Sequence, residues 1–206
     1  MIRLSKSSLG KAEKNSVLKV LNKEFLGMGE EVKLFENQLS DFFNREVVCV
    51  VNGTSALHLA LQAIGVGKGD EVLVQSVTYL SSYQAISATG AKPISCDINI
   101  NNISINLEDA KKKITSRTKA IMPVLYAGNP GNLFEVYKFA KKYNLTVVED
   151  SAHAFGSVLN GKKIGSFGDI SCFSFDGIKN ITAGEGGCIV TNNKKILSHV
   201  RDARLL

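Results

Sequence analysis

The segment Ser171-Cys-Phe-Ser-Phe-Asp-Gly-Ile-Lys-Asn-Ile-Thr-Ala-Gly-Glu-Gly-Gly187 sets one lysine, Lys179, among serine, threonine, small residues and glycines. An apolar run at 170–175 precedes the lysine and a second at 188–190 follows the glycines. Each reads as a short buried strand. A lysine between two buried strands is either a surface loop residue or a desolvated amine. A desolvated amine has a lowered pKa and can form a Schiff base with a carbonyl. This segment alone leaves both readings open.

Upstream, strands and helices alternate. Residues 47–51, 71–74, 92–96, 119–125 and 145–149 read as strands. Residues 56–64, 81–88, 107–114 and 133–143 read as helices between them, with Asn106 as a cap. Repeated alternation predicts an α/β layered domain around a mainly parallel sheet. After Ser157 the chain turns to short strands and glycine turns, which predicts the edge of that sheet. Two helices, 11–25 and 30–43, come first, separated by the turn Leu26-Gly-Met-Gly29. In the second, Val32, Phe35, Leu39, Phe42 and Phe43 recur at helical spacing. These helices are expected on the core or on a partner subunit.

The 206 residues suffice for one sizeable core, with 44% hydrophobic and 21% charged residues. The net charge of +6 comes from scattered lysines that are not interleaved with exposed aromatics, so a solvated surface is expected and no nucleic acid. Four cysteines, at 49, 96, 172 and 188, form no CxxC pair. They predict buried, reduced thiols and no metal site. No apolar run approaches the ~18 residues of a membrane span. The first residues, Met1-Ile-Arg-Leu-Ser-Lys, lack the apolar core of a signal peptide. A cytoplasmic protein is expected.

In open α/β sheets ligands gather at the carboxyl ends of strands. Several polar residues are predicted there. Gly53-Thr54-Ser55 follows the first strand and opens a helix, which suits either phosphate binding or a plain N-cap by Thr54 or Ser55. Tyr79 follows the second strand, and core packing is its alternative. Asp150 ends an apolar strand, where a carboxylate needs a partner. A helix cap or an internal salt bridge would also satisfy it. Glu149 is expected to face the other way. His153 follows, with a satisfied core histidine as the alternative. His58 is expected to pack in its helix and His199 to face solvent. Asp150-Ser151-Ala152-His153 is no hydrolase triad, because no GxSxG elbow accompanies it. Gly65-Val-Gly-Lys-Gly precedes a strand instead of following one, so it is no dinucleotide fingerprint. Gly161-Lys-Lys-Ile-Gly165 does not fit a P-loop.

Four segments in order carry a family resemblance: Asn52-Gly53-Thr54-Ser55-Ala56-Leu57-His58, Val77-Thr78-Tyr79, Glu149-Asp150-Ser151-Ala152-His153, and Ser174-Phe175-Asp176-Gly177-Ile178-Lys179-Asn180 with Gly184-Glu185-Gly186-Gly187. Together they resemble the DegT/DnrJ/EryC1/StrS nucleotide-sugar aminotransferases. The resemblance implies the large domain of the PLP-dependent transferase fold type I (aspartate aminotransferase-like), a three-layer α/β/α sandwich. It implies a helical segment over 1–30, a domain binding pyridoxal 5′-phosphate (PLP) over 31–206, and a homodimer. Gly53, Thr54, Ser55 and Ser174 are implied to hold the phosphate and Tyr79 to stack on the ring. Asp150 is implied to pair with the pyridine nitrogen, with His153 near the phenolic oxygen. Lys179 is implied to be the catalytic residue and to carry the cofactor as a Schiff base.

The implied reaction moves an amino group from glutamate to a keto sugar on a nucleotide diphosphate, in the biosynthesis of amino sugars such as those of O-antigen lipopolysaccharide. A few relatives replace the lysine with histidine and dehydrate the sugar, so Lys179 points to transamination. Asp176-Gly177 stands where the family commonly has His-Pro, Tyr-Pro or His-Ala, and only small geometric consequences are expected. Family members run on for roughly as long again, through a small C-terminal domain that is expected to be absent here. A catalytically silent PLP-binding fragment and a plain α/β scaffold are the alternatives.

Overall fold

The computed structural model describes residues 6–205. The parts of the 1–30 and 31–206 assignments that fall on residues 1–5 and on Leu206 lie outside the described residues, as does most of the Met1–Lys6 reading. The helices α1 (Lys11–Leu21) and α2 (Glu30–Phe43) lead into β1 (Val47–Val50) and α3 (Gly53–Ala63). Next come β2 (Glu71–Gln75), α4 (Ser81–Ala88), β3 (Lys92–Cys96), α5 (Leu107–Lys112), β4 (Thr118–Met122), α6 (Leu133–Tyr143) and β5 (Thr146–Asp150). A small hairpin, β6 (Val158–Leu159) and β7 (Lys162–Lys163), precedes β8 (Ile170–Ser174), β9 (Gly187–Val190) and α7 (Lys194–Ala203).

Seven strands form one sheet in the order β1-β9-β8-β5-β4-β2-β3. Only β9 is antiparallel to its neighbours, so the other six share one direction. Alternate side chains pack on opposite faces, as the period of two requires. Val72, Val74, Ala120, Met122, Val148 and Cys172 meet α3, α4 and α7 on one face. On the other, Leu73, Ile121 and Val147 pack with α5 and α6, and Phe173, Cys188 and Val190 pack with α2. This is the expected three-layer architecture.

Several boundaries differ from the sequence reading. Helix α1 stops at Leu21 and has no buried residue, and Glu24 takes a left-handed φ of +52° before Phe25. Helix α3 starts at Gly53, three residues early, because Asn52 caps it: Asn52 Oδ1 accepts from Ser55 N–H at 2.9 Å. Strand β4 ends at Met122, because Pro123 has no N–H to continue a ladder. The expectation of a sheet edge after Ser157 is overturned. Strands β8 and β9 are interior, and the edges are β1 and β3. The long apolar run preceding Lys179 is apolar because it is covered on both faces.

Two close contacts set the geometry at the carboxyl end of the sheet. A Cβ on Gly187 would lie 2.5 Å from Asn52 C and O and 2.8 Å from Gly53 N. A Cβ on Gly53 would lie 2.8 Å from Ser174 Cβ. Glycine at both positions lets β9, β8 and the start of α3 converge.

Behind the sheet, Glu149 is fully buried. It accepts from Ser171 Oγ at 2.8 Å, from Ser151 Oγ at 3.2 Å and from the Tyr137 hydroxyl. Nearby, buried Arg45 donates to the carbonyls of Gly165, Phe167, Gly168 and Asp169, stapling the loop before β8. Burial pushes the Glu149 carboxyl up to about 7, against the lowering effect of its three hydroxyl donors and Arg45. The cysteines are free: Cys96, Cys172 and Cys188 are buried and Cys49 is half-buried. Burial pushes the Cys49 thiol up to about 12. No helix among the described residues is long and apolar enough to cross a membrane.

Two outcomes test this packing. Gly187→Ala forces β9 away from Asn52 and is expected to lower stability by about 1–3 kcal/mol, read as a shifted denaturant midpoint at unchanged slope. Glu149 binds its proton more tightly folded than unfolded. Its contribution is therefore present below pH 4.5, the ordinary value, and is lost as the pH rises through about 7. Glu149→Gln should flatten that part of the stability–pH curve, and an unaltered slope would assign the titration to another group.

Candidate active site

The carboxyl ends of β1, β2, β5 and β8 open into one cavity of about 480 Å³ on the α3/α4 side of the sheet. Its walls include Leu57, Val124 and Leu125, and its polar groups come from five separate segments.

Asp150 ends β5 and is 4% exposed. Its backbone is fixed on both sides: its N–H donates to Pro123 O at 2.9 Å, and its carbonyl accepts from Leu125 N–H at 3.0 Å. The side chain follows the face of Val148, opposite to Glu149, and lines the cavity. Oδ2 accepts from Ser82 Oγ at 2.6 Å and Oδ1 from Ala152 N–H at 3.2 Å. Burial raises the acid's pKa, while Ser82, the Ala152 amide, His153 and Lys179 pull it down. A carboxylate oxygen has two acceptor positions, so each keeps one for a donor in the cavity. Among the described residues it forms no salt bridge, which answers one alternative left by the sequence.

At the start of α3, the Asn52 side chain takes the Ser55 amide and the Asn52 carbonyl takes that of Ala56. The first-turn amides of Gly53 and Thr54 keep no intramolecular acceptor among the described hydrogen bonds. Open first-turn amides favour an anion. Gly53 and Thr54 line the cavity and Ser55 does not. Ser174, at the end of β8, faces Gly53, with its Oγ 3.3 Å from the position of a Gly53 Cβ.

Lys179 sits on a turn closed by its own N–H donating to Asp176 O at 3.0 Å. The Asp176 carboxylate shapes that turn by accepting from Ile178 N–H at 3.0 Å. Asp176-Gly177 thus builds a side-chain-supported turn. The loop is anchored twice more: Phe175 N–H donates to Gly186 O at 2.7 Å, and Asn180 Nδ2 to Phe155 O at 2.7 Å. Lys179 is half-buried and lines the cavity, so it is a loop lysine whose amine is turned to the site.

His153 also lines the cavity. Its Nδ1 accepts from Ala127 N–H at 3.3 Å, and Tyr126 meets the ring edge-on at 5.8 Å. A neutral imidazole accepting at Nδ1 carries its proton on Nε2. Burial, then the charge of Lys179, lowers its pKa against the opposing effect of Asp150, favouring that neutral form. Tyr79 lies at the rim, 72% exposed. It is therefore not core packing. His199 is exposed as expected, and His58 is half-buried within α3.

The cavity thus gathers Gly53, Thr54, Tyr79, Asp150, His153, Ser174 and Lys179. Sequence reasoning missed Asn52, Thr78, Ser82 and Asp176. Asn before Gly at a helix start is a cap signal that could have revealed Asn52. Ser82 is fully buried in α4, and nothing in the linear sequence marks it. Chemically, the site offers an anion cradle, an amine, a buried anion for a cationic partner, and an imidazole N–H.

The model of the DegT/DnrJ/EryC1/StrS aminotransferase family matches residues 7–205. A GDP-perosamine synthase from Escherichia coli O157:H7 is 44% identical over 191 residues, covering 92% of this chain and 52% of that protein. PseC of Helicobacter pylori, an aminotransferase involved in the biosynthesis of pseudoaminic acid, superposes with a TM-score of 0.91 at 33% identity, over 97% of this chain and 54% of its own. Spr1654 of Streptococcus pneumoniae in its PLP form gives a TM-score of 0.90 at 31% identity, over 98% of this chain and 56% of its own. The chain spans about half the length of these relatives. By its family match, its sequence identity and its superposition, the chain belongs to the DegT/DnrJ/EryC1/StrS aminotransferase family.

Proposed function

We propose that this chain is the cofactor half of a PLP-dependent sugar aminotransferase, acting as a homodimer in the cytoplasm. Its amino donor is glutamate and its acceptor the keto group of a deoxy sugar on a nucleotide diphosphate. Within the described residues, the boundary at 30/31 divides its helical segment from its cofactor domain. The observation that carries the reading is the convergence of Lys179, buried Asp150 and the open α3 amides on one cavity. The PLP form of Spr1654 supports the cofactor, and the names of the GDP-perosamine synthase and PseC support a sugar substrate.

The residues present fit PLP. The group has a phosphate, an aldehyde and a pyridine nitrogen, and the cavity has a counterpart for each. Gly53 and Thr54 amides and the Ser174 hydroxyl hold the phosphate, in a cradle that a Gly53 Cβ would fill. Ser55 acts from behind by locking the Asn52 cap. Asp150, with an acceptor position left on each oxygen, would pair with the ring nitrogen and keep it protonated. When bound, PLP supplies an electron sink for negative charge developing at a substrate carbon.

Lys179 does two jobs with one atom. Its Nζ provides the covalent attachment point. When not so attached, the same amine would serve as the base that takes the proton from the donor α-carbon and, as its conjugate acid, would give it to the cofactor carbon that had borne the attachment. His153 Nε2–H would be the donor for an oxygen on the ring. Tyr79 at the rim covers the ring face and limits the access of water.

The reading is tested by incubating the chain with PLP, reducing with borohydride and mapping the modified peptide by mass spectrometry. A pyridoxyl group on Lys179 is expected, and Lys179→Ala should abolish it. An adduct persisting in that variant would refute the role of the lysine. Asp150→Asn is expected to keep the adduct but slow the half-reaction with glutamate by about 10²-fold or more. A wild-type rate would remove Asp150 from the mechanism.

A further inference from the structure

Behind Asp150 runs a chain of hydroxyls. Thr78 Oγ1 and Ser82 Oγ lie 2.6 Å apart, and Ser82 Oγ donates to Asp150 Oδ2 at 2.6 Å. A serine has one hydroxyl proton. Since Ser82 gives that proton to the carboxylate, its bond with Thr78 is one it must accept. The direction is therefore fixed, from Thr78 through Ser82 to Asp150. Ser82 is fully buried and does not line the cavity, whereas Thr78 is half-buried and does. The relay joins the N-terminal turn of α4 to the end of β5.

We propose that Thr78 and Ser82 are positioning residues that aim the Asp150 carboxylate into the cavity and share its negative charge. The proposal rests on the reading of Asp150 as the partner of the cofactor's ring nitrogen. An ionised acceptor strengthens the bond from Ser82, and a chain of donors pointing one way strengthens each member. The relay has a second consequence. With Oδ2 held by Ser82 and Oδ1 by Ala152 N–H, the carboxylate cannot rotate without breaking both bonds. The titratable groups facing Asp150 are His153 and Lys179 from the loops and Cys172 from β8. The first two favour its charged form, as the hydroxyls do.

The test uses two readouts. In the cofactor-free chain, carbon-13 NMR titration of the Asp150 carboxyl should show a higher midpoint in Ser82→Ala than in wild type. Thr78→Val should shift it the same way by less, and Thr78→Ser should leave it near wild type. In the PLP-loaded chain, Ser82→Ala should retain the Lys179 adduct, displace the pH profile of the cofactor absorbance and slow the glutamate half-reaction about tenfold. A folded Ser82→Ala with an unmoved midpoint and profile would reduce Ser82 to packing and overturn the relay. Should Ser82→Ala fail to fold, Thr78→Val decides alone, with an unmoved midpoint counting against. If wild type traps no PLP on Lys179, the proposed function falls, while the cofactor-free titration still judges the relay.

Discussion

Burying Asp150 at the end of β5 costs free energy that the surrounding elements must offset. The offset comes from three directions. Ser82 in α4 donates to one carboxylate oxygen and the Ala152 amide to the other, while Pro123 and Leu125 hold the backbone. Each contributor belongs to a different segment, so the charge can be held only when α4, β5 and the loop after β4 are all in place. The cavity forms around that requirement. Its other polar groups, from α3 and β8, are positioned relative to a carboxylate that has little freedom to move.

Glu149 and Asp150 show how one strand uses its two faces. The period of two sends adjacent carboxyls to opposite sides of the sheet. Glu149 meets hydroxyls from α6, β8 and its own loop, and does not line the cavity. Asp150 meets fewer donors and faces the cavity. The same desolvation acts on both. It yields a structural brace behind the sheet and a group with spare acceptor capacity in front. The aromatic cluster of Phe42, Phe43, Phe155 and Phe173 fills the layer beside Glu149 and seats the loop that carries His153.

Within the seven-stranded sheet the one antiparallel strand, β9, closes the lysine loop beside the site. Entering beside β8 and β1, it places Gly187 against Asn52 and opposite Ser174. The loop between β8 and β9 is therefore short at its base, closed by the Phe175–Gly186 pair, and its tip carries Lys179 over the cavity. Because β9 runs antiparallel to β8, the chain leaves and re-enters the sheet at the same end, so the whole loop stays beside the cavity; a parallel connection would have needed a crossover.

The sequence by itself determined the layered α/β class, the strand-and-helix alternation through β5, the family, and most of the residues that meet in the cavity. These are local or periodic signals: apolar runs, glycines before helices, and a carboxylate at a strand end. Tertiary structure alone decided the rest. Strands β8 and β9 read as edge strands because short runs and glycine turns look alike at an edge and in the interior. Their position depends on pairing with β1 and β5, which is set by contacts distant in sequence. Asn52 is the helix cap because α3 starts at Gly53, ahead of the helix's apolar periodicity. Ser82 carries no linear signal, because a small polar residue on a helix gains a role only from what faces it, and here that is a carboxylate 68 residues away.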